Sequence, residues 1–134
     1  MGIKLATQNI RDIGVFERLT KVHVKDCIRG ESCVYFLVEE GKSGLAIGKN
    51  GSVIKSVGKV LGKPVKVFEF SRDVKKMVSS MIPSATKVEV GDDSVAVSIP
   101  SSERSVVIGR NGRNIKVIKE FLRRQFKINQ LRLK

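Results

Sequence analysis

Several residue types are scarce in this sequence, and each scarcity argues against a class of protein. The 134 residues include one histidine, two cysteines and no tryptophan. A structural zinc site needs four ligands, and general acid–base catalysis most often uses histidine, so we expect no metal, no cofactor and no enzyme activity. No apolar run approaches the roughly 20 residues of a membrane helix, and the start of the chain lacks the apolar stretch of a signal peptide. We therefore expect a cytoplasmic, monomeric protein.

The two cysteines flank a predicted hairpin turn. If the turn centres on Gly30, Cys27 and Cys33 face each other across the two strands, close enough for a disulfide. A reducing cytosol favours two free thiols, whereas a structural bridge suits a hyperthermophilic source. We predict reduced thiols and keep the disulfide as the alternative.

Acidic residues are half as numerous as basic ones. The chain has 26 Lys and Arg against 13 Asp and Glu, a net charge of +13. Residues 104–134 hold ten basic residues and one acid, Glu120, so this segment carries +9 of the total (ten minus one). Concentrated positive charge attracts polyanions such as nucleic acids and releases their counterions. From charge alone, a solvated surface without a nucleic-acid partner remains an alternative interpretation. Binding to a membrane surface is disfavoured, because no large apolar helix face accompanies the charge.

The sequence repeats itself at a spacing of 61 residues. This shift places Ile-Gly-Lys-Asn-Gly, residues 47–51, on Ile-Gly-Arg-Asn-Gly, residues 108–112. The same register pairs Val34 with Val95, Ile54-Lys55 with Ile115-Lys116, Leu61 with Leu122, and Lys66 with Lys127. A register shared over roughly 35 residues indicates one structural unit used twice.

Each repeat predicts the element order α-β-β-α-α-β. In the first, an opening helix precedes β-prone runs at 22–28 and 33–38, two helices flank the glycine loop, and a strand covers 65–70. In the second, a helix at 72–81 precedes strands at 87–90 and 95–99, two helices flank the second loop, and a strand lies near 127–133. No Gly/Ser/Pro-rich linker separates the repeats. We therefore predict an α+β protein with domains 1–70 and 71–134 packed rigidly against each other.

A Gly-x-x-Gly loop between two helices suits a phosphate backbone. Glycine lets the chain turn sharply and approach the ligand closely, and the following helix directs its free N–H groups at the same anion. The middle residues supply a cation and an amide, and the nearby isoleucines (Ile47 with Ile54, Ile108 with Ile115) are predicted to floor a groove for bases. The predicted RNA-contact residues are Ile47, Gly48, Lys49, Asn50, Gly51, Ile54, Lys55, Ile108, Gly109, Arg110, Asn111, Gly112, Arg113, Ile115 and Lys116. For basic residues more than a turn beyond each loop, a solvated helix face is an equally good interpretation.

Two other phosphate- or RNA-binding designs fit poorly. A P-loop needs G-x-x-x-x-G-K-[ST], but only three residues separate Gly44 from Gly48-Lys49, and Asn50 replaces the magnesium-binding hydroxyl residue. Aromatic residues make up 5% of the chain, with none in either loop, which argues against the stacking platforms of RRM and OB folds. A single Gly-x-x-Gly is a weak signal, but two copies in the same element context form a strong one.

This pattern resembles the KH domain, whose Gly-x-x-Gly loop clamps about four nucleotides of RNA. The order α-β-β-α-α-β resembles the type II arrangement, and two such domains without a linker resemble the KH core of NusA-type transcription factors. The short basic form is similar to the archaeal NusA-like proteins. The resemblance implies contacts between single-stranded RNA and both loops with their flanking isoleucines.

The resemblance implies a transcription elongation, termination or antitermination factor that binds nascent RNA. RNA polymerase is a second candidate partner, although the sequence lacks the N-terminal polymerase-binding domain and the S1 domain of bacterial NusA. A KH protein of ribosome assembly or translation shares every feature above and remains the alternative. Binding of single-stranded DNA also remains open, because nothing in the sequence obviously reads a 2′-hydroxyl.

Overall fold

The computed structural model describes the backbone of residues 2–134 and the side chains of residues 9–134. The chain divides into two compact units, the first ending at Phe70 and the second beginning at Ser71. No helix within residues 2–134 is long and apolar enough to cross a membrane. Both units show the predicted order α-β-β-α-α-β.

The first unit contains three helices and three strands. They are α1 (Gly2–Thr20), β1 (Val24–Arg29), β2 (Val34–Val38), α2 (Ser43–Ile47), α3 (Ser52–Leu61) and β3 (Val65–Glu69). Strand β2 lies in the middle of the sheet, antiparallel to β1 and parallel to β3. A parallel pair needs a long crossover, and α2, the glycine loop and α3 form it.

The core of the first unit lies between α1, α3 and the sheet. All five residues of β2 are buried, as expected for a central strand. Phe16 of α1 stacks on Phe36 of β2 with 4.2 Å between ring centroids, and both side chains are fully buried. Burial of each ring contributes about 1.5–3 kcal/mol, and the stacked pair adds about 1 kcal/mol.

The second unit repeats this architecture. Its elements are α4 (Val74–Met81), β4 (Lys87–Val90), β5 (Ser94–Ser98), α5 (Arg104–Ile108), α6 (Arg113–Phe126) and β6 (Gln130–Leu133). Strand β5 is central, antiparallel to β4 and parallel to β6. Met77 and Val78 of α4 are fully buried, as are Ile118 and Leu122 of α6, whereas Ile115 near the start of α6 is half-buried.

The 61-residue register holds from the central strand to Leu61 and Leu122 and then ends. Helix α3 stops at Gly62, which has φ 75°, but α6 continues for about one more turn to Phe126. Lys66 therefore lies in β3, whereas Lys127 caps α6 in a left-handed conformation with φ 59°. The predicted equivalence of these two lysines is wrong, and the last strand begins at Gln130 rather than near residue 127.

The register of the first hairpin does not bring the two cysteines together. The N–H of Gly30 donates to the carbonyl of Cys33 at 2.8 Å, so the turn consists of the two residues between them. Cys27 consequently pairs with Phe36. A three-residue offset is roughly 10 Å along a strand, beyond the Cα separation of a disulfide. Both cysteines are free thiols. Because the register keeps them apart, the geometric basis of the alternative prediction, a disulfide between Cys27 and Cys33, no longer holds.

Candidate nucleic-acid interface

The two glycine loops have the same backbone conformation. In the first, Gly48, Asn50 and Gly51 have φ/ψ angles of 76°/172°, 55°/28° and 74°/15°. The corresponding angles in the second loop, at Gly109, Asn111 and Gly112, are 78°/169°, 57°/26° and 73°/15°. Three of the four loop positions thus have positive φ. Asparagine tolerates this region better than most residues, so the asparagines have a backbone role that the sequence analysis did not assign.

The first glycine of each loop is required for two reasons. Its φ/ψ angles lie in a region that is essentially restricted to glycine. A Cβ on Gly48 would also lie 2.4 Å from Cγ2 of Val53, and one on Gly109 would lie 2.7 Å from Cβ of Asn114. The second glycine has more room, since a Cβ on Gly51 would come no closer than 3.7 Å to Ile54.

A helix begins directly after the last glycine of each loop. The N–H of Gly51 donates to Gly48 O at 3.1 Å, and the N–H of Gly112 donates to Gly109 O at the same distance. Helices α3 and α6 begin immediately afterwards with a glycine at the N-cap, which supplies no capping side chain. The N–H groups of the first helical residues, Ser52 and Arg113, donate to the carbonyls of Lys49 and Arg110. An anion at either loop would therefore meet the N–H groups of the residues that follow in the first turn.

The middle residues of both loops lie on the surface. Lys49, Asn50, Arg110 and Asn111 are all exposed. Of the basic residues that follow, Lys55 and Lys116 are exposed, and Arg113 is half-buried. The structure thus places a cation, an amide and a helix N-terminus together at each loop, an arrangement suited to a phosphate group.

The flanking isoleucines do not all lie as predicted. In the first unit a groove of about 560 Å³ runs between α3 and the start of β3. Ile54 lines this groove, whereas Ile47, 38% exposed, lies outside the set of lining residues. Ile108 and Ile115 of the second unit are both half-buried. The structure therefore does not support the predicted pairing of Ile47 with Ile54 in one groove floor.

Two lysines line the groove that the sequence alone could not distinguish from a solvated helix face. They are Lys59 and Lys63, which lie in the groove lining together with Lys55. Lys63 is also held in place, because its Nζ donates to Gly30 O at 2.8 Å. Two glycines four residues apart, Gly58 in α3 and Gly62 at its C-cap, were the available signal.

A pair of exposed aliphatic residues was also missed. Leu45 in α2 and Val106 in α5 are 63% and 68% exposed. They match each other at the 61-residue shift, and each lies three residues before the first glycine of a loop. Both units thus present an exposed apolar side chain at equivalent positions close to the loop.

Different contacts hold the two loops to their units. In the first, the carboxylate of Glu69 accepts a hydrogen bond from the Ser43 hydroxyl at 2.6 Å, which ties the start of α2 to the end of β3 and lowers the pKa of Glu69. In the second, Nδ2 of Asn114 donates to Val107 O at 2.9 Å and joins α6 to α5. Val53 occupies the position equivalent to Asn114.

A cluster of charges lies on the exposed face of α6. Arg123 donates to both carboxylate oxygens of Glu120, at 2.9 and 2.6 Å, and Arg124 donates at 2.9 Å. These hydrogen bonds, led by the one from Arg123, lower the pKa of Glu120 to about 2. The carboxylate is thus ionised at neutral pH and orients both guanidinium groups.

Known proteins resemble the chain in sequence and in structure. The KH domain family matches it twice, over residues 10–79 and 73–131. A Methanocaldococcus jannaschii protein named "Probable transcription termination protein NusA" is 32% identical, over 98% of this chain and 75% of that protein. A Halobacterium salinarum protein of the same name is 30% identical, over 99% of each.

A solved structure described as the crystal structure of APE1850 has a TM-score of 0.77 to this chain, with 29% identity, over 96% of this chain and 99% of that one. The element order in both units is that of the type II KH arrangement expected from the sequence. The chain therefore belongs to the KH domain family and is, within it, an archaeal NusA-like protein with two KH domains in tandem.

Proposed function

We propose that the chain is a transcription factor that binds single-stranded RNA through both Gly-x-x-Gly loops during elongation or termination. The observation that carries this proposal is the recurrence of one strained loop conformation in both units. Each copy opens into a helix N-terminus and presents an exposed cation and amide. Backbone conformations restricted to glycine persist where a ligand must approach the chain closely.

In the proposed mechanism the loops bind phosphates and the neighbouring surfaces contact bases. Lys49 and Arg110 neutralise phosphate charge, while the N–H groups that follow Ser52 and Arg113 in the first turns of α3 and α6 donate to phosphate oxygens. With roughly four nucleotides per KH domain, the two domains cover on the order of ten nucleotides. Because one chain carries both loops, binding at one raises the effective RNA concentration at the other, a gain of about 10² to 10⁴ when both engage.

The proposed RNA is a nascent transcript. The relatives from Methanocaldococcus and Halobacterium carry a transcription termination name, and the net charge of +13 suits a polyanionic partner. We propose that the protein acts as a monomer and that RNA polymerase is a second partner. Whether the bound factor favours termination or antitermination is a separate property of the complex.

Variants of the two loops test the RNA-binding part of the proposal. Lys49→Asp/Asn50→Asp and Arg110→Asp/Asn111→Asp each change the charge by −3, and aspartate, like asparagine, tolerates the positive φ of the third loop position. Each variant should weaken binding of a single-stranded 12-mer RNA by about tenfold or more, measured by fluorescence anisotropy. Lys75→Asp/Lys76→Asn makes the same charge change on the exposed face of α4 and should have a much smaller effect. If the control weakens binding as much as the loop variants do, the loops are not the site.

Crosslinking in cells tests the transcription part. RNA crosslinked to the protein is purified and sequenced. Enrichment of nascent transcripts supports the proposed function, and recovery of mainly ribosomal RNA supports a role in ribosome assembly or translation instead.

A further inference from the structure

Glu120 is an acidic residue in the most basic segment of the chain. Residues 104–134 contain ten basic residues, and Glu120 is their one acid. A carboxylate on a surface that binds RNA is unfavourable by itself, because it repels phosphate groups. At the equivalent position of the first unit, by the 61-residue shift, stands an exposed lysine, Lys59. A favourable role for Glu120 must therefore lie in its contacts with the neighbouring cations.

The carboxylate of Glu120 brings together two arginines that the helix alone would separate. Consecutive residues of an α-helix point about 100° apart, so Arg123 and Arg124 leave α6 in different directions. Glu120 lies three residues before the first and four before the second, the two spacings at which side chains on a helix meet. Its Oε2 accepts from Nη2 of Arg123 at 2.6 Å and from Nε of Arg124 at 2.9 Å. The two guanidinium groups therefore lie side by side at one oxygen.

The arginine pair is ordered and still accessible. Arg123 binds Glu120 through Nε and Nη2, so its Nη1 takes no part in the pair. The side chains of Arg123 and Arg124 are 55% and 33% exposed. The hydrogen bonds, led by that from Arg123, lower the pKa of Glu120 to about 2, so the carboxylate holds both arginines at neutral pH. Side chains that are already fixed lose less conformational entropy when they bind a ligand.

The first unit lacks the residues for such a pair. Gly62 and Lys63 stand at the positions of Arg123 and Arg124. Gly62 has no side chain, and Nζ of Lys63 donates to Gly30 O at 2.8 Å. The contribution of the arginine pair therefore belongs to the second unit alone.

We infer that Glu120 is a positioning residue for RNA, because it holds Arg123 and Arg124 together as one site for a backbone phosphate. The pair lies roughly 16 Å along α6 from the second loop, so it meets a phosphate further along the strand than the loop does. Two adjacent guanidinium groups present N–H donors that match the oxygens of a phosphate. A phosphate contact carries no base preference, so Glu120 raises affinity for every sequence. This inference rests on the proposed RNA binding and adds to it that an acidic residue strengthens it.

The sign of the change in affinity tests the inference. Glu120→Gln removes one negative charge, so a purely electrostatic effect would tighten RNA binding. If Glu120 positions the arginines, the same variant should weaken binding of the single-stranded 12-mer by about threefold. Glu89→Gln is the matched control, because its exposed carboxylate also accepts a hydrogen bond from a cation of the second unit, Lys134, at 3.0 Å. This control should tighten binding slightly, by less than about twofold.

A variant without the arginines shows whether Glu120 acts through them. Arg123→Gln/Arg124→Gln should weaken binding by about tenfold and reduce the salt dependence, the slope of log K against log salt, by about 0.7 for one lost phosphate contact. Adding Glu120→Gln to this variant should no longer weaken binding and should tighten it slightly. All affinities are measured well below the thermal midpoint of each variant, so that differences in stability do not contribute.

Unchanged or tighter binding by Glu120→Gln would overturn the inference, because Glu120 would then act only as a charge. Equal weakening by Glu120→Gln with and without the arginines would also overturn it. The proposed function fails separately, if the wild-type protein does not bind single-stranded RNA or if the loop variants bind it normally.

Discussion

Gly48 and Val53 are in such close contact that the Cα of Gly48 has no room for a side chain. A Cβ there would lie 2.4 Å from Cγ2 and 2.9 Å from Cβ of Val53. The first turn of α3 therefore packs directly on the backbone of the loop that precedes it. The same relationship recurs between Gly109 and Asn114.

This contact predicts unequal effects of substituting the two glycines of one loop. Gly48→Ala combines a glycine-only conformation with overpacking and should lower the free energy of unfolding by about 3 kcal/mol or more. Gly51→Ala has space for the methyl group and should cost about 1 kcal/mol, for the left-handed conformation alone. Urea unfolding of both variants checks the order, and equal losses would contradict the packing account.

A buried ion pair joins α1 to β1, and removing one partner should destabilise the first unit. Nη1 of Arg29 donates to Oδ1 of Asp12 at 2.8 Å, and the Asp12 side chain is 1% exposed. Arg29→Met leaves the buried carboxylate without its partner and should cost about 3 kcal/mol in urea unfolding. The double variant Asp12→Asn/Arg29→Met should recover part of this loss. A double variant that is less stable than Arg29→Met would show that the pair is not the cause.

The Glu120 cluster predicts an acid-sensitive contribution to the stability of the second unit. The folded-state pKa of about 2 lies below the usual value of 4.5, so the stabilisation is fully present above about pH 4.5. It decreases as the pH falls and is lost through pH 2. The difference in thermal midpoint between wild type and Glu120→Gln should therefore be largest near neutral pH and disappear near pH 2. A difference that does not change with pH would mean that the carboxylate charge does not act through these hydrogen bonds.

The cysteines should differ in reactivity and should not crosslink. Cys27 is 1% exposed, whereas Cys33 is partly exposed and has a pKa raised by burial. Iodoacetamide at pH 8 should modify Cys33 slowly and leave Cys27 unmodified until the protein unfolds. The rate at Cys33 should continue to rise above pH 9, because the thiolate is the reacting form. An intact mass two units lower after mild oxidation of the monomer would contradict the register of the hairpin.

The order of elements and the position of both loops were predictable from the sequence. The repeated pentapeptide located the loops, and apolar spacing with glycine and proline stops located the helices. The strand at Lys87–Val90 has the predicted bounds because a clear turn, Gly91-Asp92-Asp93, follows it. Lys127 was misplaced in a strand because no glycine or proline marks the end of α6.

The groove was not predictable, because it depends on contacts between residues brought together by the fold. A Cβ on Gly58, for example, would lie 3.0 Å from the carbonyl oxygen of Lys63, a contact that no spacing rule reports. The pairing of Cys27 with Phe36 likewise depends on a two-residue turn that starts after Gly30 rather than centring on it.

Photocrosslinking tests the central claim, that the two loops bind RNA, most directly. A single-stranded 12-mer containing 4-thiouridine is bound to the intact protein and irradiated, and the crosslinked peptides are identified by mass spectrometry. The account predicts crosslinks in residues 47–55 and 108–116. Crosslinks confined to other surfaces, such as α1 or α4, with both loop peptides unmodified would contradict it.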